Sequence, residues 1–264
     1  MARYDGKTAF ITGASAGIGA QLARELARQG ADVALVARRG DRIESLAREI
    51  QGATGRRVVA ITGDVTEDGS IERAAANARE ALGKIDVVIA NAGFGVTGRV
   101  DKLSLDDFRR QFETNVFGVL RTVYATLDDI KQHQGRLAIV GSVSGHIGTP
   151  TTAAYCMSKF AVHGLAESLG HELAASGASV TLISPGFVAS EIRLLDGKGE
   201  LHEGAADPVP AWLVMPTDKA ARQMAAAIYR REREAVITLH GKAAVFLQRH
   251  APWLVAAVLR RARM

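Results

Sequence analysis

The chain has 264 residues, 47% of them hydrophobic, one cysteine and a formal net charge of +5. That length supports a well-buried core, and the lone Cys156 excludes an internal disulfide and fits a reducing compartment. No run approaches the roughly 18 apolar residues that span a bilayer. Residues 1–7 hold no apolar signal core, and the arginines are scattered instead of forming a stripe with aromatics, so a cytoplasmic protein that binds no nucleic acid is expected.

Apolar runs of strand length alternate with segments of helical period, the pattern of a parallel sheet covered on both faces. The first strand, 8–12, leads into Thr12-Gly13-Ala14-Ser15-Ala16-Gly17-Ile18-Gly19 and a helix over 18–29. Glycines there let the backbone turn tightly and approach a pyrophosphate, whose charge a helix N-terminus favours. The spacing is G-x-x-x-G-x-G, and it is the strand–turn–helix setting that makes it a dinucleotide signal and more than a structural turn. The second strand, 32–37, ends in Ala37-Arg38-Arg39, with Arg38 placed 21 residues past Gly17. NAD enzymes carry an acid near this point for the ribose 2′-hydroxyl, whereas arginine suits a 2′-phosphate. NADP(H) is therefore expected over NAD(H); the plainer alternative is two solvated arginines leading a helix over 41–51.

A third strand, 58–62, precedes Asp64-Val65, which could meet an adenine edge, and a helix follows over 71–82. A fourth, 85–90, precedes Asn91-Ala92-Gly93, where backbone could approach a ribose. Each pattern alone is ordinary turn chemistry. Ser104, with Asp107 in capping-box spacing, opens a long helix over 106–133. A fifth strand, 136–140, is followed by Ser142, and a helix over 152–176 carries Tyr155 and Lys159. Positions i and i+4 share a helix face, so phenol and ammonium reach one pocket. A phenol of pKa about 10 is a poor acid or base at neutral pH, but a nearby cation favours its ionised form. With a serine hydroxyl holding a substrate oxygen, the three propose proton transfer to or from an alcohol or carbonyl.

A sixth strand over 179–184, a helix over 217–231 capped by Thr217 and a seventh strand over 235–239 complete the series. Gly30, Gly83, Gly135 and Gly177 fall where helices should stop. Residues 186–216, with Gly197, Gly199, Gly204, Pro208, Pro210 and Pro216, break the rhythm as a long irregular segment, read as a substrate lid. One domain over 1–240 that includes this lid is expected, followed by a basic amphipathic helical extension over 241–264 interrupted at Pro252. That tail suits either an anionic membrane surface or a lid or subunit contact. The histidines show no metal spacing: His171-Glu172 lacks a second His at i+4, so no metal is expected. Cys156 reads as a buried, inert thiol.

Together these residues resemble the short-chain dehydrogenase/reductase family, over about residues 5–240. The glycine motif is Thr12 to Gly19, and the Asn-Asn-Ala-Gly motif stands as Ala90-Asn91-Ala92-Gly93. The active-site Asn matches Asn115, and the catalytic Ser, Tyr and Lys match Ser142, Tyr155 and Lys159. The Pro-Gly turn is Pro185-Gly186, with Ser190 where Thr is usual. Ala16 stands where many NADP-preferring members carry Lys or Arg, so the preference rests on Arg38 and Arg39.

The resemblance implies a doubly wound seven-stranded parallel sheet and hydride transfer between a carbonyl and a secondary alcohol. Tyr155 would be the acid/base, with Lys159 depressing its pKa and binding the nicotinamide ribose. Ser142 would orient the carbonyl oxygen, and Asn115 would hold a water that relays protons to Lys159. Cofactor contacts are implied for Gly13, Ser15, Ala16, Gly17, Ile18, Gly19, Arg38, Arg39, Asp64, Val65, Asn91, Ala92, Gly93, Pro185, Gly186, Val188 and Ser190. Pocket walls would come from Phe94, Ser144, His146 and Phe187, and the apolar lid favours a hydrophobic small molecule. A β-ketoacyl thioester reductase is an alternative, disfavoured because His133 and Ser176 stand where carrier-dependent members present basic residues; a non-catalytic cofactor sensor or scaffold is another. Pairing through the two long helices, where Ala161, Gly164 and Ala166 permit close approach, implies a homodimer or homotetramer.

Overall fold

The computed structural model of the chain describes residues 2–190 and 209–261. Seven parallel strands form one sheet in the order β3-β2-β1-β4-β5-β6-β7. In chain order they are β1 (Thr8–Thr12), β2 (Asp32–Ala37), β3 (Val58–Thr62), β4 (Val87–Ala90), β5 (Arg136–Val140), β6 (Ser179–Ser184) and β7 (Glu234–Val236). The helices are α1 (Gly17–Arg28), α2 (Gly40–Thr54), α3 (Ser70–Leu82), α4 (Leu105–Phe112), α5 (Gly118–Gln132), α6 (Ala153–Glu172), α7 (Thr217–Tyr229), α8 (Leu239–His250) and α9 (Pro252–Arg261). The order reverses between β1 and β4, and in such sheets ligands bind at the carboxyl ends of the strands flanking that switch point.

Both faces of the sheet are covered, which is why the strands are apolar runs without alternation. Ala9 and Ile11 of β1 join a core layer with Leu22 and Leu26 of α1, Ile43 of α2 and Met224 of α7. Phe10, between them, joins the opposite layer with Ile71 of α3, Val123 of α5 and Val162 of α6. Each fully buried Leu or Ile of this kind contributes about 1.5–3 kcal/mol relative to exposure. At the amino ends of the strands, the buried carboxylate of Asp86 accepts from the Thr8 amide and Lys7 Nζ, both at 3.0 Å, and pairs with Lys84 at 3.2 Å.

Several expected boundaries move, each for a local reason. The helix expected over 106–133 is interrupted by a π turn, Glu113–Phe117, between α4 and α5. Ile85 and Asp86 precede β4 proper, although Asp86 keeps ladder-like bonds to Thr8 and Arg136. The seventh strand ends at Val236, because Thr238 becomes the N-cap of α8 and accepts from Gly241 N. Pro216 occupies the N-cap of α7, and Thr217, the expected cap, is the first helical residue and donates its hydroxyl to Ala189 O. The capping box of Ser104 and Asp107 is present as read. Of the long irregular segment, the stems are described: Ala189 N donates to Met215 O and Met215 N to Phe187 O, at 3.0 and 2.9 Å. The residues expected in the lid between 191 and 208, and Arg263, lie outside the described residues.

Candidate active site

Three loops at the carboxyl ends of β1, β4 and β5 meet over the switch point. Gly13 and Gly17 both hold positive φ, +68° and +53°, a region that side chains with a Cβ rarely adopt. A Cβ on Gly13 would collide with Ala92 backbone, and one on Gly19 with Gly13 O and the Asn91 amide. Asn91 Nδ2 donates to Thr12 O and Gly13 O at 3.0 and 3.1 Å, fastening the glycine loop to the end of β4. Ala16 is the N-cap of α1 and offers no side-chain cap. The first amides of α1 therefore face a backbone-lined hollow with the positive end of the helix dipole behind them. This hollow fits a pyrophosphate, and Ser190 stands beside it, its Cβ 3.3 Å from where a Gly17 Cβ would be.

At the end of β2, Arg39 donates Nε and Nη2 to Ser15 Oγ at 3.1 and 2.8 Å. Arg38 Nη1 lies 3.8 Å from Asp64 Oδ2 and its side chain is mostly exposed. Asp64 is fixed in turn by the amide and hydroxyl of Thr66, and Val65 is buried against Gly118. Arg38, Asp64, Ser70, Arg73 and Asn77 border a cavity of about 430 Å³ beside β3.

The loop after β5 carries Ser142, whose Oγ accepts from Ser144 N at 3.1 Å. That bond commits one lone pair and leaves the hydroxyl proton free to be aimed. The Ser142 hydroxyl interacts with the Tyr155 phenol, which stands on the first turn of α6. Burial raises the Tyr155 pKa and the Ser142 bond works against it. Lys159 is buried, and desolvation lowers its pKa to about 8. Its Nζ donates to Val140 O at 2.8 Å and lies 5.7 Å from the Tyr155 ring centroid. The expected depression of the Tyr155 pKa by Lys159 is thus corrected: burial dominates, and the ammonium is turned to a β5 carbonyl.

Asn115 sits in the π turn, fully buried. Its Oδ1 accepts from Phe94 N at 3.1 Å, while Nδ2 donates to Phe94 O and Ser158 Oγ at 3.0 and 3.2 Å. Gln111, one turn earlier and equally buried, accepts from Val96 N at 2.6 Å and donates to Phe94 O at 2.8 Å. Two carboxamides thus pin the loop after β4, setting Gly95 against the Tyr155 ring. Gln111 escaped the sequence reading; its spacing from Asn115, four residues on one helix face, was the available signal.

His146, expected in the pocket wall, is instead buried in a polar cluster. Its Nε2 meets Ser184 Oγ at 3.0 Å and Glu234 Oε1 at 3.3 Å, and its ring packs on His163, with centroids 4.5 Å apart. Its main-chain N donates to Val143 O at 3.0 Å, closing the short turn after Ser142. Phe187 follows Pro185-Gly186, where Pro185 O accepts from Val143 N at 3.0 Å. His240 and Thr238, from the start of α8, occupy the space a Cβ on Gly186 would need. Both were missed because Thr238 read as part of the last strand and His240 as the residue just past it. Cys156 is buried beside Thr152 and Ile147 O. Among the described residues, no group of three or more His, Cys, Asp or Glu is placed to hold a metal ion.

Comparison with known proteins agrees with this geometry. The family model described as short chain dehydrogenase matches residues 7–198. Oxidoreductase UcpA of Salmonella typhimurium is 40% identical over 190 residues, 71% of this chain and 72% of that protein. A short chain dehydrogenase/reductase of Burkholderia phymatum, solved with NAD, superposes with a TM-score of 0.84 at 26% identity over 96% of both chains. A short-chain dehydrogenase of Sphingobium yanoikuyae, solved with NADPH, gives 0.79 at 28% identity over 98% of this chain and 95% of that one. The glycine hollow, the Ser142–Tyr155–Lys159 grouping and these likenesses place the chain in the short-chain dehydrogenase/reductase family of NAD(P)-dependent oxidoreductases.

Proposed function

We propose that the protein interconverts a carbonyl and a secondary alcohol on a hydrophobic small molecule, with NADP(H) as its preferred cofactor. The observation that carries this reading is the Ser142 hydroxyl, held by Ser144 N and interacting with the Tyr155 phenol, beside a buried Lys159. Ser142 orients the substrate oxygen, and Tyr155 gives that oxygen a proton in reduction or takes it in oxidation. The raised Tyr155 pKa suits the acid role, since the phenol stays protonated at neutral pH. A bound nicotinamide supplies or accepts the hydride.

Gly13, Ser15, Ala16, Gly17, Ile18 and Gly19 hold the pyrophosphate in this reading, and Arg38 and Arg39 the 2′-phosphate. Asp64 and Val65 border the adenine, Asn91, Ala92 and Gly93 the adenosine ribose, and Tyr155 and Lys159 the nicotinamide ribose. Pro185, Gly186, Val188 and Ser190 receive the carboxamide. The Asn115 side chain is committed to Phe94 and Ser158, so a relay water rests on its main chain. Phe94, Ser144 and Phe187 border the substrate.

The exposed apolar side chains Tyr124 of α5 and Met157 and Phe160 of α6 support pairing of copies through these helices, as a homodimer or homotetramer. No described helix is long and apolar enough to cross a membrane. The enzyme is read as cytoplasmic, with residues 241–264 serving either as a lid or subunit contact or as a peripheral contact with a membrane surface.

NADPH oxidation by the purified protein across aliphatic and steroid-like ketones, quinones, aldehydes, sugars and β-ketoacyl thioesters tests the proposal, with Tyr155→Phe as control. Turnover of a hydrophobic ketone that vanishes in the variant supports it. Turnover that survives in the variant, or is confined to thioesters, sinks it.

A further inference from the structure

Residues 235–264 contain Lys242, Arg249, Arg260, Arg261 and Arg263 and no Asp or Glu, which equals the whole formal net charge of +5. The remainder of the chain is balanced. The excess is thus concentrated in the segment that follows the last strand, with Lys242 and Arg249 on α8 and Arg260 and Arg261 on α9.

These helices are also apolar where packing does not require it. α8 docks on the body through Gly241 and Val245, both buried, with Gly241 against Val143. One buried stripe is enough to hold a surface helix. Yet Leu239, Ala243, Phe246 and Leu247 form a second stripe at i, i+4, i+7 and i+8, with Leu239 82% and Phe246 61% exposed. α9 buries no residue, and its Trp253 and Val258 are 72% and 60% exposed. A ten-residue helix whose covered side is only half-buried, at Val255, Ala257 and Leu259, is marginal in water. Something apolar completes it.

We propose that α8 and α9 dock on an anionic phospholipid bilayer and seat the entrance of the active site at the lipid boundary. Interfacial helices combine these elements: an apolar face with Trp, Phe and Leu, and cations that extend to headgroup phosphates. Arg249 is paired with Glu234, but pairing of two copies through this face would still set Lys242, Arg260 and Arg261 of one copy against those of the other, which their charge disfavours. A nucleic acid would neutralise the cations but leave the Trp253 and Phe246 faces in water.

The placement gives docking a purpose. His240, in the first turn of α8, stacks on Phe187 and accepts its N–H, and Gly241 touches the residue after Ser142. The bilayer-facing stripe therefore begins with Leu239, next to the proposed substrate wall. A hydrophobic ketone or alcohol dissolved in the bilayer would enter without crossing bulk water. The proposal rests on the carbonyl–alcohol reading only for the nature of that substrate.

The test is co-sedimentation of the full chain with vesicles of equimolar phosphatidylglycerol and phosphatidylcholine, and with phosphatidylcholine alone. The chain should pellet with the anionic vesicles and not the neutral ones, and added salt should release it. Arg260→Ala with Arg261→Ala should weaken binding about thirtyfold, at about fivefold per basic residue near an anionic surface. Trp253→Asp should abolish it. These variants lie outside the catalytic machinery, so NADPH oxidation with a water-soluble ketone should be unchanged. Binding indifferent to lipid charge, variants that bind like the parent, or a Trp253→Asp effect on oligomeric state in place of vesicle binding would overturn the docking. Failure of Tyr155-dependent turnover with the lipid pattern intact would instead remove the carbonyl reading and leave the docking standing.

Discussion

His240, in the first turn of α8, and Phe187, in the turn after β6, are locked together. Phe187 N donates to His240 Nε2 at 3.1 Å, and the two rings stack with centroids 5.2 Å apart and planes 27° from parallel. Thr238 Oγ1 lies 3.1 Å from the same nitrogen. The turn that follows β6 is thereby fastened to the helix that follows β7.

This clamp makes His240 a positioning residue with a pH signature. Burial lowers its pKa. A protonated ring would present N–H to the Phe187 N–H, so the clamp exists above the folded-state pKa and is lost as pH falls through it. His240→Ala should raise the KM for substrate and cofactor about tenfold, the worth of one hydrogen bond and a ring contact. The parent should show an acid limb in kcat/KM, lying below the ordinary imidazole range, that the variant lacks. Steady-state kinetics across that limb decide it; an identical limb in both proteins would refute the clamp.

Cofactor preference turns on the two arginines after β2. Arg39 already donates twice to Ser15 Oγ of the glycine loop, and Arg38 lies near Asp64 in the loop after β3. A charge-assisted contact to phosphate contributes about 1.5–3 kcal/mol. Arg38→Ala should therefore lower the NADPH-to-NADH ratio of kcat/KM about 10- to 100-fold, mostly by weakening NADPH. An unchanged ratio in Arg38→Ala and Arg39→Ala would reassign both as solvated.

The strand pattern, the glycine loop and the Tyr155–Lys159 spacing were legible because period and spacing alone express them. All seven strands lie in or near their expected places. What escaped has physical reasons. A π turn adds one residue to one helical turn and barely disturbs the apolar period, so α4 and α5 read as a single helix. Thr238 and His240 act through space on Gly186, and no local pattern signals a partner some fifty residues away. His146 looked like a pocket residue from its place after Ser142, but a buried imidazole turns to whichever polar partners satisfy it, here Ser184 and Glu234.

The carboxamide pair supplies a stability test with a catalytic readout. Asn115→Ala would strip Phe94 N of its acceptor, although Gln111 still serves Phe94 O. A loss of about 2–3 kcal/mol is expected for unpairing buried polar groups. Gln111→Ala should behave similarly, and a double-mutant cycle should show coupling, because both fix the same three-residue loop. Strict additivity would mean the two act on separate structures. Since Gly95 packs on the Tyr155 ring, kcat should fall in both variants.

Lys159 is the residue at which function and stability should part most clearly. It is buried, its pKa falls from 10.5 to about 8 through desolvation, and its ammonium donates to Val140 O. At neutral pH it is charged in both folded and unfolded chains, so folding carries the full cost of burying an ammonium. The unfolded chain binds the proton more tightly, so stability rises as pH climbs from about 8 toward 10. The rise is at most about 1.4 kcal/mol per unit. Above about pH 10 the raised Tyr155 pKa acts in the opposite sense, because the unfolded phenol ionises first. Lys159→Met should therefore gain roughly 1–3 kcal/mol at pH 7, flatten the rise between pH 8 and 10, and lose on the order of 10²–10⁴-fold in turnover. Urea titrations of both proteins at three pH values, beside NADPH oxidation, measure all three effects. A variant that is less stable at pH 7 would show that the Val140 bond outweighs the desolvation, and the buried ammonium would then be a structural support as well as a catalytic group.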